Sequence, residues 1–217
     1  MSPVLRFTFK QTIGILVMIF IYAGAIAQID YAAHPRDSGS WKFSGDLNLY
    51  FFQDNMIALP VIRADKDKLH LEARYNYEDL NTISVWAGFN FSGGKKIEYT
   101  LTPMVAAVMG NSRGIAPGLE MTFIRNKLEL YSESEYLFSA DSPEFNYAYS
   151  WTDLAYSLED WLWVGISAQR TRLYKTNLDL QRGLLIGAAR KQWEVTAYLY
   201  NLGFDTPFGI LTLTGNF

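Results

Sequence analysis

Ionisable side chains recur at alternate positions along this sequence, a spacing that puts them on one face of an extended chain: His70, Glu72 and Arg74; Glu98; Glu120; Glu129, Tyr131, Glu133 and Glu135; Glu194. Carboxylates gathered in a wall of low dielectric must find cations or take up protons. Where such a face borders a hydrated interior, the fixed charge decides which ions or polar solutes pass. The negative sign points to cations or small polar solutes. Arg74 supplies one internal counter-charge. Strict alternation sends Arg170, Arg172 and Arg182 to the opposite face, where only a bulge would re-aim them. Tyr131, Trp163, Tyr198 and Tyr200 fall on the charged face, as stacking surfaces for a ligand or simply as interior bulk.

Other chemistry is poorly supplied. The chain has no cysteine, which excludes disulfides and thiolate metal sites. Its two histidines are His34 and His70, without a metal-ligand spacing. Hydrolysis needs a base beside a nucleophile, and no Ser lies two residues from His70. Glu78 and Asp79 adjoin at the end of a strand-like segment, where neighbouring acids usually face solvent. A net charge of −3 without a basic patch gives no support for nucleic-acid binding.

The elements that must position these residues are strands. In residues 41–51, Trp41, Phe43, Leu47, Leu49 and Phe51 oppose Lys42, Ser44, Asp46 and Asn48. In residues 69–78, Leu69, Leu71, Ala73, Tyr75 and Tyr77 alternate with His70, Glu72, Arg74, Asn76 and Glu78. Residues 83–91, 97–102, 119–123, 128–135, 162–169 and 193–200 repeat the pattern. Residues 56–64 are harder to read, because Pro60 interrupts them and both faces are apolar. Short turns at 92–96, 125–127, 158–160 and 190–192 alternate with longer loops at 109–117, 139–144, 174–179 and 201–207. The count is about twelve strands, or ten if residues 56–64 do not span. Gly88, Gly165, Gly183 and Gly187 fall on the polar face, which suits a crowded interior. Trp41, Tyr75, Tyr77, Phe89, Phe91, Trp193 and Phe217 gather near strand ends, as an interfacial girdle would. The 14 Tyr, 14 Phe and 6 Trp make a heavy aromatic load.

The two ends of the chain carry the resemblance. Arg6 and Lys10 precede an apolar stretch too short for a membrane helix, followed by Ala25-Ile26-Ala27, the pattern of a cleaved export signal over residues 1–27. Its removal takes two positive charges and moves the net charge from −3 to −5. Residues 28–40 read as a flexible lead-in, and residues 41–217 as one domain. The last strand places Leu211, Leu213, Gly215 and Phe217 at alternate positions and stops on Phe217. This resembles the closing strand of bacterial outer-membrane β-barrels, including small porin-like barrels, although a larger apolar residue is commoner at the place of Gly215. Residues 69–79, running on to Gly88-Phe89-Asn90-Phe91, are similar to a recurrent stretch in barrel proteins of no known activity.

The resemblance implies an all-β transmembrane antiparallel barrel with both termini in the periplasm, because short turns in such barrels face that side. It implies outer-membrane lipid and lipopolysaccharide around the barrel, and assembly machinery reading Leu211, Leu213 and Phe217. It implies no cofactor and no enzyme activity. A narrow porin-like channel for small polar or cationic solutes is the leading expectation. A closed barrel filled by a Glu/Arg network is the alternative, a lipid hydrolase a more distant one, and no loop is long enough to fold in as a plug.

Overall fold

A computed structural model describes residues 39–171, 180–204 and 206–217. The export signal 1–27, almost all of the lead-in 28–40, Arg172 and the loop 174–179 lie outside the described residues. The strands are β1 (Lys42–Phe51), β2 (Met56–Lys66), β3 (Leu69–Tyr75), β4 (Thr82–Phe89), β5 (Phe91–Gly93), β6 (Glu98–Gly110) and β7 (Gly114–Arg125). They continue as β8 (Leu128–Ser139), β9 (Tyr147–Glu159), β10 (Leu162–Arg170), β11 (Gln181–Arg190), β12 (Trp193–Tyr200) and β13 (Phe208–Asn216). Apart from β4 and β5, consecutive strands pair antiparallel, and β1 pairs with β13. β4 and β5 both pair with β6 in one continuous register, Gly88 opposite Met104 and Phe91 opposite Leu101, so they form one stave nicked at Asn90. The result is a closed barrel of twelve staves, which removes every sheet edge.

Alternation sorts the staves as their sequences suggest. Phe43, Ile62, Val85, Val105, Ile166 and Leu184 are exposed on the outside. Trp41, Tyr75, Phe89, Phe91, Trp193 and Phe217 stand exposed near strand ends. Two-residue turns at 67–68, 126–127 and 191–192 carry positive φ at Asp67, Asn126 and Lys191 (+53° to +55°), matching the twist of the flanking strands. The chain ends meet: Phe43 and Phe217 exchange backbone hydrogen bonds of 2.9 and 2.7 Å. Leu211, Leu213 and Phe217 lie on the outer face of β13. The ring of Trp193, directly opposite Gly215, covers it so closely that a Cβ there would come within 2.7 Å of the indole. A large neighbour thus replaces the usual large residue.

Two expectations fail. The long loop at 109–117 is mostly strand: only Asn111, Ser112 and Arg113 separate β6 from β7. Gly110, at φ +136°, allows the tight reversal, and the run of Gly, Ser and Pro disguised the strand. Pro117 sits within β7, where its missing N–H falls in an unpaired step of the β7–β8 ladder between Ile115 and Gly118. Residues 76–78 do not continue β3. The β2–β3 ladder stops at Val61 and Arg74, and the next residue on β2 is Pro60. With no donor there, the chain leaves the wall. Asn76 (φ +59°) and Asn81 (φ +52°) turn it, and the Asn76 amide side chain donates to the Ala58 carbonyl at 3.2 Å. Tyr77 and Glu78 therefore point into the barrel. They are not part of a girdle or a solvated rim.

Candidate functional site: the barrel interior

The interior is organised by two arginines. Arg74 lies between the rings of Tyr77 and Trp86, its guanidinium carbon 4.5 and 4.6 Å from their centres. It donates to Glu72 at 2.6 Å, Glu135 at 3.2 Å and Glu120 at 3.4 Å. Arg63, on the next stave, donates to Asp46 at 2.5 Å and lies 3.6 Å from Glu72. Planar guanidinium suits this work, since it stacks on rings while forking between several carboxylates. Glu72, Arg74, Glu133 and Glu135 are all buried.

His70 sits between Asp65 (2.9 Å from Nδ1) and Glu72 (3.3 Å from Nε2). Both ring nitrogens are thus engaged by carboxylates, and among the described residues no hydroxyl is hydrogen-bonded to the ring. His70, Glu72 and Glu120 have donor atoms within 4.8 Å of one another, a grouping that linear spacing did not reveal. Arg63 and Arg74 already approach these carboxylates, so the arrangement is a salt network with its own cations.

The in-turned segment 76–81 forms a septum. The Tyr77 hydroxyl bonds Glu133 and lies 2.9 Å from that of Tyr149. Ser84 donates to Glu78 Oε1, Trp86 Nε1 lies 3.4 Å from the same oxygen, and Tyr147 donates to the Glu78 carbonyl at 2.5 Å. On the loop-end half of the wall, Tyr50, Phe208 and Tyr200 stack in sequence over Ile57, Leu59 and Ile210. Glycines make room for this bulk: a Cβ on Gly118 would strike Trp86, on Gly183 Tyr200, and on Gly187 Trp163.

A cavity of about 840 Å³ occupies the other half. Its lining runs from Asn126, Lys127 and Asp160 at the short-turn end to Tyr77, Trp151 and Tyr198 at the septum. Glu120, Glu129, Tyr131, Glu133 and Glu194 line it, as does Trp163. Asp46 and Asp153 line it as well, and with Asp160 they bring its acids to seven, against the cations Arg63 and Lys127. Asp153 is held by Trp151 at 2.7 Å, Tyr198 at 3.0 Å and Ser167. A second cavity of about 350 Å³ lies on the loop side of the septum, against Glu78.

His70, Glu72, Arg74, Glu120, Tyr131, Glu133 and Glu135 thus come together by direct contact or shared lining. Glu129 and Glu194 stand lower in the larger cavity, and Glu98 is exposed at the start of β6. Arg170 and Arg182 are exposed on the outer face at the loop end. Sequence reasoning did not single out Arg63, Asp153, Trp86, Tyr149 or Trp151, and it assigned Tyr77 to the girdle. Arg63 shares the parity of Ile57, Leu59 and Val61, a signal masked by apolar residues on both faces of β2. In β9 the hydropathy is reversed: Tyr147, Tyr149 and Trp151 point inward, while Ser150 and Thr152 point outward. Thr152 there shares a 2.9 Å hydroxyl contact with Ser132 of β8.

No protein-family model and no curated protein matches the chain. Among solved structures, a KdgM porin is similar, with TM-score 0.59 and 13% identity over 80% of this chain and 99% of that one. A KdgM porin in complex with disordered oligogalacturonate gives 0.55 and 10%, over 81% and 99%. The outer membrane protein Omp33 of Acinetobacter baumannii gives 0.46 and 12%, over 82% and 98%. The chain has the fold of a small outer-membrane porin.

Proposed function

We propose that the protein is a narrow porin-like channel of the bacterial outer membrane that favours cations and small polar solutes. The observation that carries this reading is the 840 Å³ cavity, with seven acidic side chains against two basic ones among the described residues. Fixed charge in a confined, low-dielectric lumen concentrates counter-ions and excludes ions of its own sign. The outer face supports membrane residence, because its exposed Ile, Leu, Val and Phe side chains suit hydrocarbon and the closed ladder pairs backbone groups from strand to strand around the wall. In this reading the short turns and both termini face the periplasm, lipopolysaccharide surrounds the loop end, and Leu211, Leu213 and Phe217 present the assembly signal. Oligogalacturonate is a polyanion, which this acidic lumen would repel, so that solute does not come to this chain with the fold.

A filled, non-conducting barrel is favoured by a different observation, the septum of Tyr77 and Glu78 with the aromatic stack beside it. Planar-bilayer recording of the refolded protein separates the two. Discrete unitary currents support the channel, and silence at every voltage supports the filled barrel. An enzyme reading finds no support in the carboxylate-bound His70.

A further inference from the structure

The geometry points to a binding site for a small hydroxylated amine, of the amino-sugar class, in the 350 Å³ cavity on the loop side of the septum. Its floor is Glu78, only 3% exposed. Ser84 and Trp86 hold Oε1 of this carboxylate, while Oε2 is buried without a partner. An oxygen left so is costly unless a donor reaches it. No other described side chain supplies that donor, and the cavity beside it is of the size that small-molecule sites have.

The walls narrow the class of occupant. Asp79 and Asp141 add carboxylates. Arg113 pairs with Asp141 and offsets its charge, so the surplus falls on Glu78 and Asp79. An anion would be repelled, and a neutral sugar would bring Oε2 of the buried carboxylate no charged donor. A primary ammonium brings three donors on a compact charge. Ser112, whose hydroxyl donates to Asp79 at 2.9 Å, can accept from a polyol, Ser139, which accepts from the Asp141 N–H, can donate to one, and Phe145, half exposed, provides an apolar face for a sugar ring. The site deepens the channel reading by naming a solute class at its loop-side mouth. Its purpose rests on that reading, but its chemistry does not.

The test is calorimetric titration of the refolded full chain in detergent with D-glucosamine and, separately, D-glucose. Saturable binding of glucosamine at neutral pH is expected, with glucose at least about tenfold weaker, as the loss of a charged hydrogen bond would give. Glu78→Gln should weaken glucosamine by a similar factor, and Glu98→Gln, exposed at the start of β6 and outside both cavities, should leave it unchanged. Folding of each variant is checked by heat-modifiable electrophoretic mobility. If Glu78→Gln does not fold, Asp79→Asn carries the test and should weaken glucosamine several-fold. Equal affinity for the two sugars, no binding of either, or glucosamine binding indifferent to Glu78 and Asp79 would overturn the site. Conducting bilayers without glucosamine binding overturn the site and leave the channel. Glucosamine binding in a protein that never conducts does the reverse.

Discussion

Arg74 is where most of the interior meets. Removing it would strand Glu72, Glu120 and Glu135 without the guanidinium that spans them. Breaking a buried ion pair from one side costs about 3–5 kcal/mol, so Arg74→Gln should lower stability by about that much, read by urea unfolding in lipid vesicles. Tyr77 is held by Glu133 and Tyr149 across the lumen. Tyr77→Ala should raise unitary conductance roughly twofold by opening the septum. An unchanged conductance would place the constriction elsewhere. Glu78, in the segment that joins β3 to β4, has its carboxyl pushed above the ordinary glutamate range by burial, against the opposing pull of Arg74. Its surroundings also include Glu135 from β8, Asp79 on its own loop, and the pair Arg113 and Asp141 on neighbouring loops. Ionised Glu78 is the form that holds an ammonium. Glucosamine affinity should therefore be weak at acid pH and rise as pH passes upward through that raised value. In Glu78→Gln that acid-side rise should be lost.

At the scale of the elements, the outer face makes the sharper prediction. Val85, near the centre of β4, is half exposed on the outside. Val85→Arg should cost about 2–4 kcal/mol in vesicles, as arginine does on a barrel at the bilayer midplane. The same change at Tyr75, beside the rim, should cost no more than about 1 kcal/mol. Equal penalties at both depths would mean that no bilayer surrounds the wall. Which elements could be read from sequence follows from the same contrast. β3, β4 and β12 announce themselves, because greasy residues point out and polar ones point in. β9 conceals its facing, since its aromatics fill the interior and its small hydroxyl residues face outward. β2 hides Arg63 among apolar residues on both faces. The short segment 76–81 carries alternation straight through the point where Pro60 ends the ladder, so Tyr77 and Glu78 look like wall residues. No period in the sequence marks a chain leaving its sheet. Only the Pro on the neighbouring strand and the Asn residues at 76 and 81 hint at it, and their meaning depends on knowing the pairing.

As a whole, the molecule is a closed wall around an unevenly filled interior. One half is packed with rings and capped by a six-residue septum. The other holds an acid-rich cavity reaching the short turns. Linear alternation was enough to place Glu72, Arg74, Glu129, Glu133 and Glu194 on one face. It could not show which of them are locked in contact and which stand in open space, because that depends on the diameter of the closed barrel and on what enters it from the ends. On the channel reading, a solute would meet a charged cavity on one side of the segment 76–81 and a smaller one on the other.

The reversal potential of the refolded barrel across a KCl gradient in a planar bilayer tests the central claim most directly. Discrete currents that reverse on the cation side, with the preference reduced when Glu129 and Glu194 are both changed to Gln, are the outcome the acid-rich cavity requires. A reversal potential on the anion side, or a bilayer that stays silent with correctly folded protein inserted, would contradict it.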